Sequence, residues 1–209
     1  MPSEFEQIYY AVSTNGYVLI NDNKYDYSQD TMVIELMKKY KKVILGDAFN
    51  QSIDFLPDGI IYLQLGRRFN KPIMNLPQTL KHLIIASNQI AHCEFNQSLD
   101  YLPEGLESLE IKLNCSFNMY INNLPASLKH LTFYCKLFNY SLNNLPDGLE
   151  ILCVRDFSDL DLHNLPSNLK KVQISYLSED NSKLLDEYIN TSQSKINFEY
   201  NTGSHFSSS

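Results

Sequence analysis

Apolar residues recur along this chain in one phrase, Leu-Pro-x-x-apolar-x-x-apolar-x-apolar, starting at Leu56, Leu76, Leu102, Leu124, Leu145 and Leu165. Successive starts are 20, 26, 22, 21 and 20 residues apart. Each phrase ends in alternation, as in Leu80-x-x-Leu83-x-Ile85, Leu106-x-x-Leu109-x-Ile111 and Leu128-x-x-Leu131-x-Phe133. Alternation marks a short strand with one buried face. One strand per unit, all running the same way, pairs into a single parallel sheet. The proline has a fixed φ and no donor, so it belongs in the turn before the strand. Asp58-Gly59, Glu104-Gly105 and Asp147-Gly148 are turn dipeptides, with Ala126-Ser127 and Ser167-Asn168 as small or polar substitutes.

A second phrase, Phe-Asn, stands seven residues ahead of five of these leucines, at Phe49, Phe69, Phe95, Phe117 and Phe138. One phenylalanine per coil at fixed phase predicts a ladder of rings filling the side opposite the sheet. The neighbouring asparagine, expected inside, can satisfy loop N–H and C=O groups that no strand reaches. Phe157-Ser158 reads as a decayed copy.

The period implies a solenoid, whose terminal units are atypical because they cover an open apolar cross-section. Residues 1–35 read as an N-terminal cap. Ile8–Val12 and Tyr17–Ile20 flank Asn15-Gly16, a hairpin signal. Ser28 or Asp30 can cap a helix over about Thr31–Lys39, whose partly apolar face is read as Met32, Ile34 or Glu35, and Leu36. Residues 36–175 hold about seven units; the first lacks its proline and places Leu36 and Tyr40 where Leu56 and Ile60 stand. Residues 176–201 read as a C-terminal cap. Ser178-Glu179-Asp180 precedes a helix over roughly Asn181–Ile189 with Leu184, Leu185 and Tyr188 as its stripe, and Lys195–Tyr200 alternates as one more strand. The Ser-rich end, 202–209, is expected to be disordered. The 26-residue unit carries its extra length between Ile85 and Phe95, where a surface loop beside the binding face is expected over 86–94. The fold class that follows is mainly β or α/β: a right-handed solenoid with one parallel sheet, capped by a hairpin and helix at one end and a helix and strand at the other.

Composition adjusts this picture little. Net charge is −7, which argues against a nucleic-acid partner. The basic run Lys38-Lys39-Tyr40-Lys41-Lys42 is read as a solvated helix end. No apolar run is long enough to span a membrane, and the N-terminus lacks a secretory pattern. Cys93, Cys115, Cys135 and Cys153 show no CxxC spacing and are read as falling at different phases of the repeat, as reduced thiols in a cytoplasmic setting. Asn-x-Ser sequons at Asn50, Asn96, Asn114, Asn139 and Asn190, three of them in the Phe-Asn phrase, fit the same compartment.

Leu56–Ile73 reads Leu-Pro-Asp-Gly-Ile-Ile-Tyr-Leu-Gln-Leu-Gly-Arg-Arg-Phe-Asn-Lys-Pro-Ile. This resembles the FNIP repeat, and the resemblance covers about residues 36–175. FNIP repeats are related to leucine-rich repeats and are abundant in social amoebae and in large DNA viruses that infect amoebae. The resemblance implies a leucine-rich-repeat-like solenoid with a protein-interaction role, in the cytoplasm of a host or in a virion if the source is viral. Some relatives carry an N-terminal F-box; residues 1–35 do not resemble one.

If the sheet lines a concave face, the residues flanking the buried ones form its surface: Tyr62 and Gln64, His82 and Ile84, Ser108 and Glu110, His130 and Thr132, Ile151 and Cys153, Lys171 and Gln173. Lys112, Tyr134 and Arg155 extend it. These are the expected contacts of an unidentified protein partner. His82 and His130 stand two strands apart, too far for one zinc ion at about 4.8 Å per strand. No phosphate-binding loop, serine elbow or Cys/His pairing is present, so no catalytic, metal or cofactor residues are assigned. The alternative to partner binding is a structural component whose solenoid packs with copies of itself.

Overall fold

The computed structural model describes residues 10–86, 92–112, 115–135, 138, 140, 142–155, 164–191 and 195–202. Residues 87–91 of the long loop, Phe157-Ser158 and the tail from 203 lie outside the described residues. A proline turn precedes most strands. The carbonyls of Pro77, Pro103, Pro125, Pro146 and Pro166 each accept from the N–H three residues on, at 2.9–3.1 Å, so each proline opens a β-turn that delivers the chain to a strand. At Gly59 φ is +97°, a region closed to most side chains.

The strands that follow are β3 (Lys42–Leu45), β4 (Tyr62–Leu65), β5 (His82–Ile85), β6 (Ser108–Ile111), β7 (His130–Phe133), β8 (Ile151–Val154) and β9 (Lys171–Leu177). A hairpin of β1 (Tyr10–Val12) and β2 (Val18–Ile20) precedes them, and β10 (Asn197–Thr202) ends the series. All ten lie in one sheet in chain order. The pair β1–β2 is antiparallel; every other pair is parallel. Register is strictly in phase: Leu63, Leu83, Leu109, Leu131, Leu152 and Val172 stand side by side, as do Leu65, Ile85, Ile111, Phe133, Val154 and Ile174. Both rows are buried. The solenoid with a single parallel sheet is therefore the observed fold.

Opposite the sheet, Phe49, Phe69, Phe95, Phe117 and Phe138 form a continuous stack. Centroids are 6.1–6.4 Å apart and adjacent planes differ by 8–16°. Tyr27, fully buried, closes the N-terminal end at 6.2 Å from Phe49. A parallel row, Ile53, Ile73, Leu99, Ile121 and Leu142, is 2–3% exposed. Gly66 has no room for a side chain: a Cβ there would collide with the Gly46 carbonyl of the coil before.

The asparagines are not inside. Asn96 is exposed, and Asn50, Asn70 and Asn118 are half-buried. They form a ladder at the edge of the core: the backbone N–H of Asn50 donates to Asn23 Oδ1 (2.8 Å), and those of Asn70, Asn96 and Asn118 each donate to Oδ1 of the preceding asparagine (2.9 Å). Parallel stacking points these N–H groups along the solenoid axis, so an acceptor is needed one coil back and burial is not.

Other expectations shift. In α1 (Thr31–Tyr40) the N-cap is Asp30, which accepts from the Val33 N–H at 3.0 Å. Its buried residues are Val33 and Met37, with Leu36 and Tyr40 partly covered, while Met32 is 65% exposed. The 33/36/37/40 stripe is the true helical face. The lysine run divides: Lys38 and Lys39 fall in the last helical turn, Lys41 is the left-handed C-cap and Lys42 opens β3. Helix α2 (Glu179–Thr191) begins two residues earlier than expected. Leu185 is fully buried and Tyr188 packs edge-on to Phe198, but Leu184 is 55% exposed. Cys93 and Cys115 share a phase, two residues ahead of their phenylalanines, and pair across a parallel bridge with Sγ atoms 2.9 Å apart. The insertion before Cys93 hides this when phase is counted from the strand.

Replacing Phe117 by Ala removes a ring wholly buried between two others and is expected to lower unfolding free energy by about 3–5 kcal/mol; a urea melt indistinguishable from the parent would contradict the stack. Asn70 Oδ1 accepts from both the Asn96 N–H and Gln97 Nε2. Asn70→Ala is therefore expected to cost about 1 kcal/mol, and Asn70→Asp, which keeps an acceptor, less. Equal losses in the same denaturation assay would dismiss the ladder.

Candidate functional site

The strand register that buries one face sets the other. One outward column runs Lys42, Tyr62, His82, Ser108, His130, Ile151, Lys171, Asn197; the next runs Ile44, Gln64, Ile84, Glu110, Thr132, Cys153, Gln173, Glu199. The structure thus brings the sequence-nominated residues onto one open face. Lys112, Tyr134 and Arg155 form a third row, held by their N–H groups to Ile85, Ile111 and Phe133 carbonyls. In the preceding coils that place belongs to Gly46, Gly66 and Ala86, so long side chains stand only on the C-terminal part of the row.

Exposure along the face is uneven. His82 and His130 are exposed, with Ser108 between them. Ile84 is outward by register yet only 9% exposed, so it sits sunk among the side chains of flanking strands. The Tyr62 hydroxyl donates to Gln64 Oε1 at 3.3 Å, and its ring lies 6.5 Å from that of His82. Glu110 pairs with Lys112 at 3.1 Å and Lys171 with Glu199 at 2.7 Å. Burial, then the Glu110 charge, push the Tyr62 phenol up. Burial raises Tyr134 too, against a hydrogen bond with Ser175. The Cys153 thiol is raised chiefly by burial, which disfavours a thiolate nucleophile. The buried pair behaves likewise: Cys115 is pushed up to about 12, first by its hydrogen bond with Cys135, and Cys93 is raised by its bond with Cys115. Among the described residues no three His, Cys, Asp or Glu side chains converge on a point that could hold a metal.

One feature escaped sequence reasoning. The residue just before each strand column forms a rim in which charge alternates from coil to coil: Lys81, Glu107, Lys129, Glu150, Lys170. Each N–H from Glu107 onward bonds the carbonyl of the one before at 2.8–2.9 Å. Lys81 meets Glu107 at 3.1 Å and Lys170 meets Glu150 at 2.6 Å. The signal was present at the position after the first strand leucine of each unit, where charge sign switches between units. Of the long loop, Ala86 adopts φ +69° as the chain leaves β5, and on its return His92 Nε2 lies 2.9 Å from Ser116 Oγ.

The FNIP repeat family matches residues 49–88 and 95–136. Those two segments carry the FNIP repeat. The two matched segments part between 88 and 95, where the long unit has its extra residues. The sheet register continues past them in both directions, through β3 and through β8 to β10, so the same sheet extends beyond the matched residues. No curated protein shows significant sequence similarity to the chain. Among solved structures, the crystal structure of CroV588, described as a novel circular LRR protein, is similar over 80% of this chain at 19% identity and a TM-score of 0.29. This chain spans 38% of that one. Among the described residues no helix is long and apolar enough to cross a membrane.

Hydrogen bonding and charge from Lys81 hold Glu107 below the usual carboxylate range, and Lys170 does the same for Glu150. A lowered folded-state value contributes stability above the unfolded value and loses it as pH falls through the folded one. The protein is therefore expected to lose melting temperature as pH falls below the ordinary value of 4.5 for these groups, with a shallower fall in Glu107→Gln/Glu150→Gln. An identical acid limb in that variant would remove the rim from the account.

Proposed function

We propose that this protein is a non-enzymatic interaction module that binds a protein partner on the open face of its sheet, with the 86–94 loop beside it. The observation that carries the reading is an uncovered sheet. Both helices send their buried residues, Val33 and Met37 from α1 and Leu185 from α2, into the core cluster on the other side. Among the described residues no element packs on the outward columns. Those columns mix aromatic, imidazole, amide and aliphatic side chains, a composition suited to a specific contact. The candidate contacts are Tyr62, Gln64, His82, Ile84, Ser108, Glu110, His130, Thr132, Tyr134, Arg155, Lys171 and Gln173. Burial of the cysteine stack as uncharged thiols suits a reducing, cytoplasmic setting.

A second reading, packing of copies into a larger structure, is favoured by apolar side chains away from the sheet. Met74, Tyr101 and Tyr120 are 56%, 59% and 62% exposed, and the Tyr120 and Tyr140 rings lie 4.1 Å apart.

Crosslinking and mass spectrometry from lysate, run on the parent and on Tyr62→Glu/His82→Glu, separates the two. The expected result is a stoichiometric partner crosslinked to the sheet face and lost in the variant. Undiminished capture, or crosslinks confined to the Met74–Tyr120 side, would overturn the reading. Concentration-dependent light scattering unaffected by the variant would favour self-assembly.

A further inference from the structure

We propose that the partner segment is acidic and extended, lying across the strands of the open face; this rests on the face being the binding surface. The chain holds 17 Lys and Arg against 24 Asp and Glu. Their distribution is lopsided. The outward columns of β3 to β10, with the residues flanking each strand, contain eight cations and four carboxylates, leaving nine cations and twenty carboxylates for the rest of the chain. The one sheet face is thus cationic on an otherwise acidic molecule.

The four carboxylates are already engaged. Glu107 pairs with Lys81, Glu110 with Lys112, Glu150 with Lys170 and Glu199 with Lys171, at 2.6–3.1 Å. Four cations remain without an ion pair among the described residues: Lys41 and Lys42 at β3, Lys129 at β7 and Arg155 after β8. The exposed imidazoles of His82 and His130 lie between them. Lys129 lies between Glu107 and Glu150 on the rim and feels both charges, but each of those carboxylates is paired with another lysine. The face as a whole keeps an excess of cations, so the complementary carboxylates are supplied by the partner.

The spacing sets the form of that partner. From β3 to β8 there are five strand steps of about 4.8 Å, some 24 Å, the reach of about seven extended residues. Between the outer charges lie Tyr62 and the sunken Ile84, and Ile151 stands at the far end on β8, the strand that Arg155 follows; these offer apolar contact to side chains of such a segment. A polynucleotide fits less well. The twenty carboxylates elsewhere repel a long polyphosphate, whereas a short acidic segment meets only the face.

The test uses fluorescence anisotropy with a fluorescein-labelled oligoglutamate of about ten residues, an oligolysine of equal length and a short oligothymidylate. The expected result is salt-sensitive binding of oligoglutamate over both others, weakened about tenfold or more in Lys129→Glu/Arg155→Glu. Lys24→Glu/Lys71→Glu makes the same charge change at exposed sites off the face and is expected to bind like the parent. Circular dichroism melts confirm that each variant folds. Absence of oligoglutamate binding, preference for oligolysine or oligothymidylate, or an equal loss in the off-face variant would overturn the inference. A natural partner that crosslinks to the sheet face through a basic segment would leave the face reading intact and sink this one alone.

Discussion

A coil of about twenty residues in this chain can hide neither its apolar side nor its turn N–H groups by itself; both needs are met by the coil before it. Only four residues per coil lie in the sheet between β3 and β8. The remaining backbone relies on side chains that reach back one unit. Asparagine Oδ1 atoms accept the N–H of the next asparagine. Thr79 and Ser127 hydroxyls and the Asn168 amide donate to the carbonyls of Ile60, Leu106 and Asp147. Asn75, Asn123 and Asn144 amides donate to Asp54, Asp100 and Asn122. Buried or half-buried donors left unpaired would each destabilise the coil, so these residues recur for the same reason the leucines do.

Such a directional chain of dependencies needs a defined start. Asn21 and Asn23, in the turn after the hairpin, accept from Ala48 and Asn50 and so supply the first rung. Tyr27 does the same for the ring stack, and α1 takes the place of a proline turn in the first unit. At the far end β9 lengthens to seven residues, and α2 covers the core before β10 adds the last strand. Nearest-neighbour stability of this kind is the energetic signature of a solenoid.

The sheet's outward face is free of these obligations, which lets it carry a charge pattern unlike the rest of the molecule. Alternation at the rim ties neighbouring coils together, and the cations left over give the face its sign. Under the proposed reading, partner binding draws on residues other than those that stack the coils, apart from the paired lysines and glutamates they share.

The repeat itself, the parallel sheet, its register, the phenylalanine stack and the outward columns were legible in the sequence, because each follows from a fixed phase that any single unit displays. The caps were legible as hairpin, helix, helix and strand. What the sequence left open depends on contacts between residues some twenty positions apart. Whether the asparagines sit inside or at the edge is decided by where an acceptor is needed along the axis. That Val33 and Met37, and not Met32, face the core depends on how α1 meets β2 and β3. Ile84 is outward by alternation, yet its burial is set by flanking strands. The Cys93–Cys115 pair exists only once coils of unequal length are brought level, and the ion pairs along the Lys81–Lys170 rim only once neighbouring coils stand side by side. Periodicity fixes which side a residue faces; only the stacked structure decides what stands next to it.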